Sequence, residues 1–200
     1  MPKVGVEELR RRQLIAATIE SIHDVGFAAT TLQSISRRAG VSSGLVAHYF
    51  RDKNGLLEAT LRSLASDLSA SIVAKLRQAR TPRARLEAVI SGLLAPEQFE
   101  PRIARVWLAF WGQLTHSPGL KRVQHVYEQR LLSNLRYALR SLLPGEEAER
   151  QAIALAAMID GLWLRAALSR DTPQAEQSQR LCLQFVDTLL RRERLPCPAA

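Results

Sequence analysis

Apolar residues recur along this chain at spacings of three and four. Nothing in residues 1–80 alternates with period two, so the pattern predicts helices and no strand. Ile15, Ile19 and Ile22 mark a first helix over residues 7–25, which Gly26 stops. Thr31 is placed to cap a short helix from Leu32 to Ala39 that ends at Gly40, and Ser42 to cap another over residues 43–49. Asp52 then caps a long helix to about residue 79, whose stripe reads Leu57, Leu61, Leu64, Leu68, Ile72 and Leu76. Pro82 opens a helix to about Ala95, the run Pro96-Glu97-Gln98-Phe99-Glu100-Pro101 interrupts it, and residues 102–116 resume. Ser117-Pro118-Gly119 is a turn before a long helix to Leu143 that Pro144-Gly145 ends. Two last helices, 147–169 and 174–192, flank Asp171-Thr172-Pro173, and residues 196–200 form a frayed tail.

The run from Thr31 to Phe50 reads as two short helices crossing steeply, a helix-turn-helix. Leu32 and Ile35 face inward, Ala39 is small where the helices meet, Gly40 supplies the turn, and Val41 plugs the gap. The second helix is too short and polar to be a core element. It presents Ser43, Gly44, Ala47 and His48, with Tyr49 beside them, a surface that suits the major groove of B-DNA, about 12 Å wide. Helix N-termini, with Thr31 and Ser42 as caps, and Lys53 would meet phosphates and fix register. An ordinary helical hairpin inside a bundle would share these features.

Composition adds less. A net charge of +9 favours a polyanionic partner, but the charge is spread: residues 1–62 hold nine Lys/Arg against six Asp/Glu. An apolar share of 46% is ample for a buried core. Cys182 and Cys197 give neither a disulfide framework nor zinc spacing, which fits free thiols in a reducing cytosol. The N-terminus lacks an apolar signal core, and no run is expected to approach the roughly 18 apolar residues of a membrane span, so a cytoplasmic protein without a membrane partner is expected. No Ser-His-Asp set, phosphate loop or metal cluster points to an enzyme; His23, His116 and His125 lack metal spacing, and no cofactor is expected.

The region from Gly26-Phe-Ala-Ala-Thr-Thr-Leu through Gly40-Val-Ser-Ser-Gly-Leu-Val-Ala-His-Tyr-Phe-Arg-Asp-Lys-Asn-Gly-Leu-Leu closely resembles the DNA-binding domain of TetR-type repressors. Many relatives carry an aromatic where this chain has Ala47, so a different base contact, or none, is expected there. Together with the opening Met-Pro-Lys-Val-Gly and the run Gly55-Leu-Leu-Glu-Ala-Thr, the sequence is similar to the BetI subfamily, which represses genes for choline uptake and for oxidising choline to the osmoprotectant glycine betaine. The resemblance implies an all-α fold of about nine helices. Residues 1–52 would be a three-helix DNA-binding domain with a linker helix over about 52–79, and residues 80–195 an effector-binding and dimerisation domain. It further implies a homodimer on a pseudo-palindromic double-stranded operator, with two helices per subunit in an intersubunit four-helix bundle.

The implied effector, choline or betaine aldehyde, carries a quaternary ammonium with no N–H to donate, so aromatic faces and a carboxylate must hold it. Trp107 and Trp111 are four apart on one helix face with Phe110 next to them, Tyr127 follows on the next helix, and Trp163 lies near the C-terminus. Asp160 is the only acidic residue between Glu149 and Asp171, in a run that is otherwise apolar, and Ala156, Ala157, Trp163 and Leu164 are its helix neighbours. A carboxylate facing the core there would want a cation, either an Arg from another helix or a ligand. The alternatives stay open: the tryptophans as core, Asp160 on a solvent or dimer face, and Gly161 as a site of close helix approach. So do a same-fold repressor of another, lipophilic molecule and a charge-driven binder of any duplex or membrane surface.

Overall fold

The computed structural model describes residues 3–168 and 174–192, all helix, turn or loop. The expected break at Asp171-Thr172-Pro173, the tail from Pro196 and Cys197 lie outside them. Among the described residues nine α-helices follow one another: α1 (Lys3–Ala29), α2 (Leu32–Arg38), α3 (Ser43–Phe50), α4 (Lys53–Gln78), α5 (Pro82–Leu93), α6 (Pro101–Gln113), α7 (Pro118–Leu139), α8 (Gly145–Leu168) and α9 (Ala175–Arg192). Short 3-10 turns occupy Pro96–Phe99 and Leu114–His116.

Side-chain capping sets several of the boundaries. Gly26 breaks α1 with φ 75°, as expected, and one further turn follows before Thr30 returns its hydroxyl to the Gly26 carbonyl at 2.8 Å. Thr81 caps α5 by accepting from the Ala84 amide at 3.1 Å, with Pro82 in the first turn where its missing N–H costs nothing.

The helices group into two compact units, and the boundary falls inside α4 and α7: residues up to Asp67 with Glu100–Val126, and Leu68–Phe99 with the rest. In the first of them, α6 packs along α1. Within the first unit Arg102 pairs with Glu20 at 3.5 Å, and Arg105 donates to the His23 carbonyl. The buried face of α1 is Leu14, Ala17, Thr18, Ser21 and Ile22, not the stripe through Ile15 and Ile19, which are only half-buried. The Thr18 hydroxyl lies in that face without penalty because it donates to the Leu14 carbonyl at 2.7 Å.

In the second unit α5, α8 and α9 share a core containing Leu86, Ile90, Leu155, Ile159, Cys182 and Val186. Arg83 pairs with Asp187 at 2.8 Å and Arg136 with Glu149. Gly92 is small because a Cβ there would stand 2.5 Å from Ile72. Gly161, by contrast, has nothing within 4 Å of its Cβ direction, which removes close packing within the subunit as its reason. Contrary to the sequence expectation, α8 is long and apolar enough to cross a membrane by length and composition, with a mean hydropathy of 1.3 over 18 residues. It packs against α9 but leaves Ile153 and Leu168 more than half exposed.

Candidate nucleic-acid interface and effector site

In the first unit, α2 and α3 meet over a small core of Leu14, Ala17, Ile35, Val46, Phe50 and Leu56, with Leu32, Ala39, Val41 and Tyr49 packed at its edge. A reciprocal capping box starts α2: the Thr31 hydroxyl accepts from the Ser34 amide, and the Ser34 hydroxyl from the Thr31 amide, each at 3.0 Å. Gly40, at φ 66°, lets the chain reverse, and the Val41 amide then reaches the Ser36 carbonyl at 3.0 Å. Ser42 caps α3 by accepting from the Leu45 amide at 3.3 Å. The Ser36 and Ser43 hydroxyls share a hydrogen bond of 3.0 Å that ties the two helices together.

With Val46 and Phe50 buried, α3 turns Ser43, Gly44, Ala47 and His48 to solvent. Thr31 and Ser42 are exposed beside them. Tyr49 is half-buried, edge-on to His48 with ring centres 5.6 Å apart. A Cβ at Gly44 would meet nothing within 4 Å. This is a short helix with a low-relief exposed face, the shape that direct groove reading needs.

Lys53, expected at a phosphate, also makes contacts within the chain. Its ammonium donates to the Ala28 carbonyl at 3.0 Å and lies 4.2 Å from the centre of the Phe27 ring, and burial holds its pKa below the ordinary value. It is first a strut between the ends of α1 and α4, with two of its three N–H donors left for another acceptor. Sequence reasoning also missed the Arg38–Asp24 ion pair, which ties α2 to α1, and Arg11, which lies 5.1 Å over the Phe50 ring. No local spacing signals either, since the partners are far apart in sequence.

The expected effector residues fall in both units. In the first, Phe110 is fully buried and Trp107 nearly so, with rings edge-on at 5.9 Å, and Trp111 is half-buried. Phe110 is enclosed by its neighbours in this unit. In the second unit the Trp163 indole donates to the Gln98 carbonyl at 2.8 Å, which fixes its ring against the 3-10 turn. Asp160 stands one helical turn before it. Burial pushes the Asp160 carboxyl up to about 6, and the negative charge of Glu128 adds to this. Burial likewise raises the Tyr127 phenol, with the Asp160 charge adding. Among the described residues no basic side chain comes within ion-pair distance of Asp160. Glu128 was not foreseen, because its influence on Asp160 comes from another helix. Asp160 is thus a carboxylate that both burial and a second acid disfavour, close enough to Tyr127 for its charge to be felt there, and a cation would relieve it.

Residues 14–60 match the sequence profile described as "Bacterial regulatory proteins, tetR family". Residues 82–191 match "BetI-type transcriptional repressor, C-terminal". The HTH-type transcriptional regulator BetI of Ectopseudomonas mendocina (strain ymp) is 47% identical over 197 residues, covering 97% of this chain and 100% of that protein. Its namesake in Klebsiella pneumoniae (strain 342) is 45% identical over 200 residues, covering 99% and 100%. Among solved structures, a transcriptional regulator from Pseudomonas aeruginosa PAO1 superposes with a TM-score of 0.81 at 30% identity, covering 94% of this chain and 95% of that one. A transcriptional regulator from Saccharomonospora viridis, solved in complex with choline, shares the fold with a TM-score of 0.77 at 20% identity, covering 88% and 95%.

Proposed function

Because this chain belongs to the TetR family of bacterial regulators, with a BetI-type C-terminal region, we propose that it is a repressor whose grip on its operator is modulated by choline or a related quaternary ammonium. It is a DNA-binding transcriptional regulator and not an enzyme. The observation that carries the effector assignment is Asp160: a partly desolvated carboxylate beside a second acidic group, without a basic partner among the described residues. Such a group is destabilising in the empty protein and is relieved by a cation. A quaternary ammonium suits the site because Trp163 and Tyr127 offer ring faces and such a cation asks for no hydrogen-bond acceptor beyond the charge. The choline complex of the S. viridis protein supports the same class of ligand.

DNA reading is assigned to Ser43, Gly44, Ala47, His48 and Tyr49 of α3, with Thr31, Ser42 and Lys53 on flanking phosphates. The half-exposed apolar side chains of α8, Ile153 and Leu168, support a homodimer that covers them. A twofold dimer presents two α3 helices to successive major grooves, so the operator is a pseudo-palindrome with half-sites about 34 Å apart or a multiple of it. The genes it controls are those of choline uptake and oxidation to glycine betaine, in the cytoplasm. Effector binding shifts the population toward a conformation in which α3 spacing no longer fits; a coupling of about 1–3 kcal/mol changes occupancy about 5- to 150-fold.

The test is an operator-shift assay repeated with choline in the presence of random competitor duplex. Specific retention that choline weakens is expected. Retention unaffected by millimolar choline rejects the effector, and equal competition by random DNA rejects sequence reading. A second measurement separates the two roles of Lys53. Lys53→Met should destabilise the first unit by about 1–2 kcal/mol through the lost bond to Ala28. It should also flatten the salt dependence of binding by about one unit of slope. Lower stability with an unchanged slope would leave Lys53 as an internal strut alone.

A further inference from the structure

The joint between α3 and α4 has a backbone that its sequence does not favour. The Arg51 amide closes the last turn of α3 on the Ala47 carbonyl at 2.8 Å, and the Asp52 amide then turns back to the Phe50 carbonyl at 2.7 Å. Between them Arg51 has φ 64° and ψ −60°, the tight γ-turn that is rare and strained for any residue with a Cβ. Among the described residues it is the one non-glycine with positive φ. The surroundings over-determine this geometry. A Cβ on Gly55 would stand 2.3 Å from the same Phe50 oxygen, and Asp52 fixes the start of α4 by accepting from the Gly55 amide at 2.7 Å. Phe50, Leu56 and Leu57 are buried on either side.

Glycine would adopt this turn without steric penalty, so the arginine side chain supplies something that the fold itself does not require. That side chain is exposed, and among the described residues no carboxylate lies within ion-pair distance of it. Two residues on, Lys53 is already engaged with Ala28 and Phe27. Arg51 is thus a cation at the C-terminal end of α3 with no ion pair among the described residues. A guanidinium presents a planar fork of donors that matches two phosphate oxygens at once.

We propose that Arg51 grips a DNA backbone phosphate at the edge of the groove read by α3, and that the strained turn holds it in place for that contact. This rests on the DNA-binding reading above.

The experiment compares the full-length wild type, Arg51→Gly and Arg51→Lys on a duplex that the wild type has selected from random sequence. Binding is measured by fluorescence anisotropy from 50 to 200 mM salt, alongside thermal melts. Arg51→Gly should bind about tenfold more weakly at low salt, and its deficit should shrink about 3- to 4-fold across that salt range, the signature of one lost phosphate contact. Arg51→Lys should recover most of the slope. Arg51→Gly should melt at the wild-type temperature or up to about 4 °C above it. Wild-type affinity and slope in Arg51→Gly would overturn the phosphate contact while leaving the DNA-binding reading intact, and a melt well below wild type would assign the side chain a structural role instead. A wild type that selects no sequence would overturn that reading and the contact together.

Discussion

Asp160→Asn should abolish the response to choline and leave operator binding as it was. The amide keeps the size of the carboxyl group and removes only its charge. Truncating one member of a desolvated charge pair costs about 2–4 kcal/mol, so choline affinity should fall about 30- to 700-fold by calorimetric titration. The empty variant should at the same time be more stable at neutral pH, by up to about 3 kcal/mol, since it no longer holds a charge in a site that pushes the carboxyl to about 6 from an ordinary 3.8. The pH dependence follows with a definite sign. The folded protein binds the Asp160 proton more tightly than the unfolded chain, so the stability conferred by that proton is full below about pH 4 and is lost as pH rises through about 6. Choline binding runs the other way and strengthens across the same interval, because only the carboxylate attracts it. Tyr127 stays neutral throughout, and the charge of Glu128 works in the same direction as burial on Asp160. An Asn variant that still releases its operator on choline addition would remove Asp160 from the effector site.

Gly44→Phe should do the opposite, sparing the sensor and the fold while disabling DNA reading. No atom lies within 4 Å of the Cβ direction at Gly44, and α3 gains helix propensity when glycine leaves it. The melting temperature should be unchanged or slightly raised. On the groove-facing side, however, a benzyl group holds α3 away from the base edges and breaks several contacts of about 1–3 kcal/mol each, so operator affinity should drop on the order of 100-fold or more. Residual binding should become indifferent to sequence. Retained operator preference in this variant would show that Gly44 does not face the groove.

Where the chain announces its elements locally, the sequence is readable. Thr31, Ser42 and Asp52 cap the helices they were expected to cap, and Gly26 and Gly40 sit at the positive φ angles that no other residue type adopts cheaply. The buried face of α1 was misjudged, because counting isoleucines favours Ile15 and Ile19 over the small Ala17, Thr18 and Ser21, whose burial depends on α2 and α6 lying close. The association of α6 with α1 left no local trace, resting as it does on partners such as Arg102 and Glu20 that are far apart in sequence. Asp160 was legible as a lone acid in an apolar run. Glu128 was not, since the influence of one acid on another across helices has no spacing rule. The bond from Lys53 to the Ala28 carbonyl has no sequence signal, because its acceptor is a backbone group and backbone acceptors are silent in sequence.

The press of Gly55 against the Phe50 carbonyl bears on how this reading head could be transplanted. A hybrid regulator cut at residue 52 would splice a foreign helix into the joint itself, and any alanine or larger residue arriving at position 55 would push the last turn of the donor head out of register. A cassette that keeps the joint therefore runs at least through Leu57, carrying its own hinge pin and two anchoring leucines, and a chimera joined further along α4 that also keeps α6 against α1 should inherit the operator preference of the head intact.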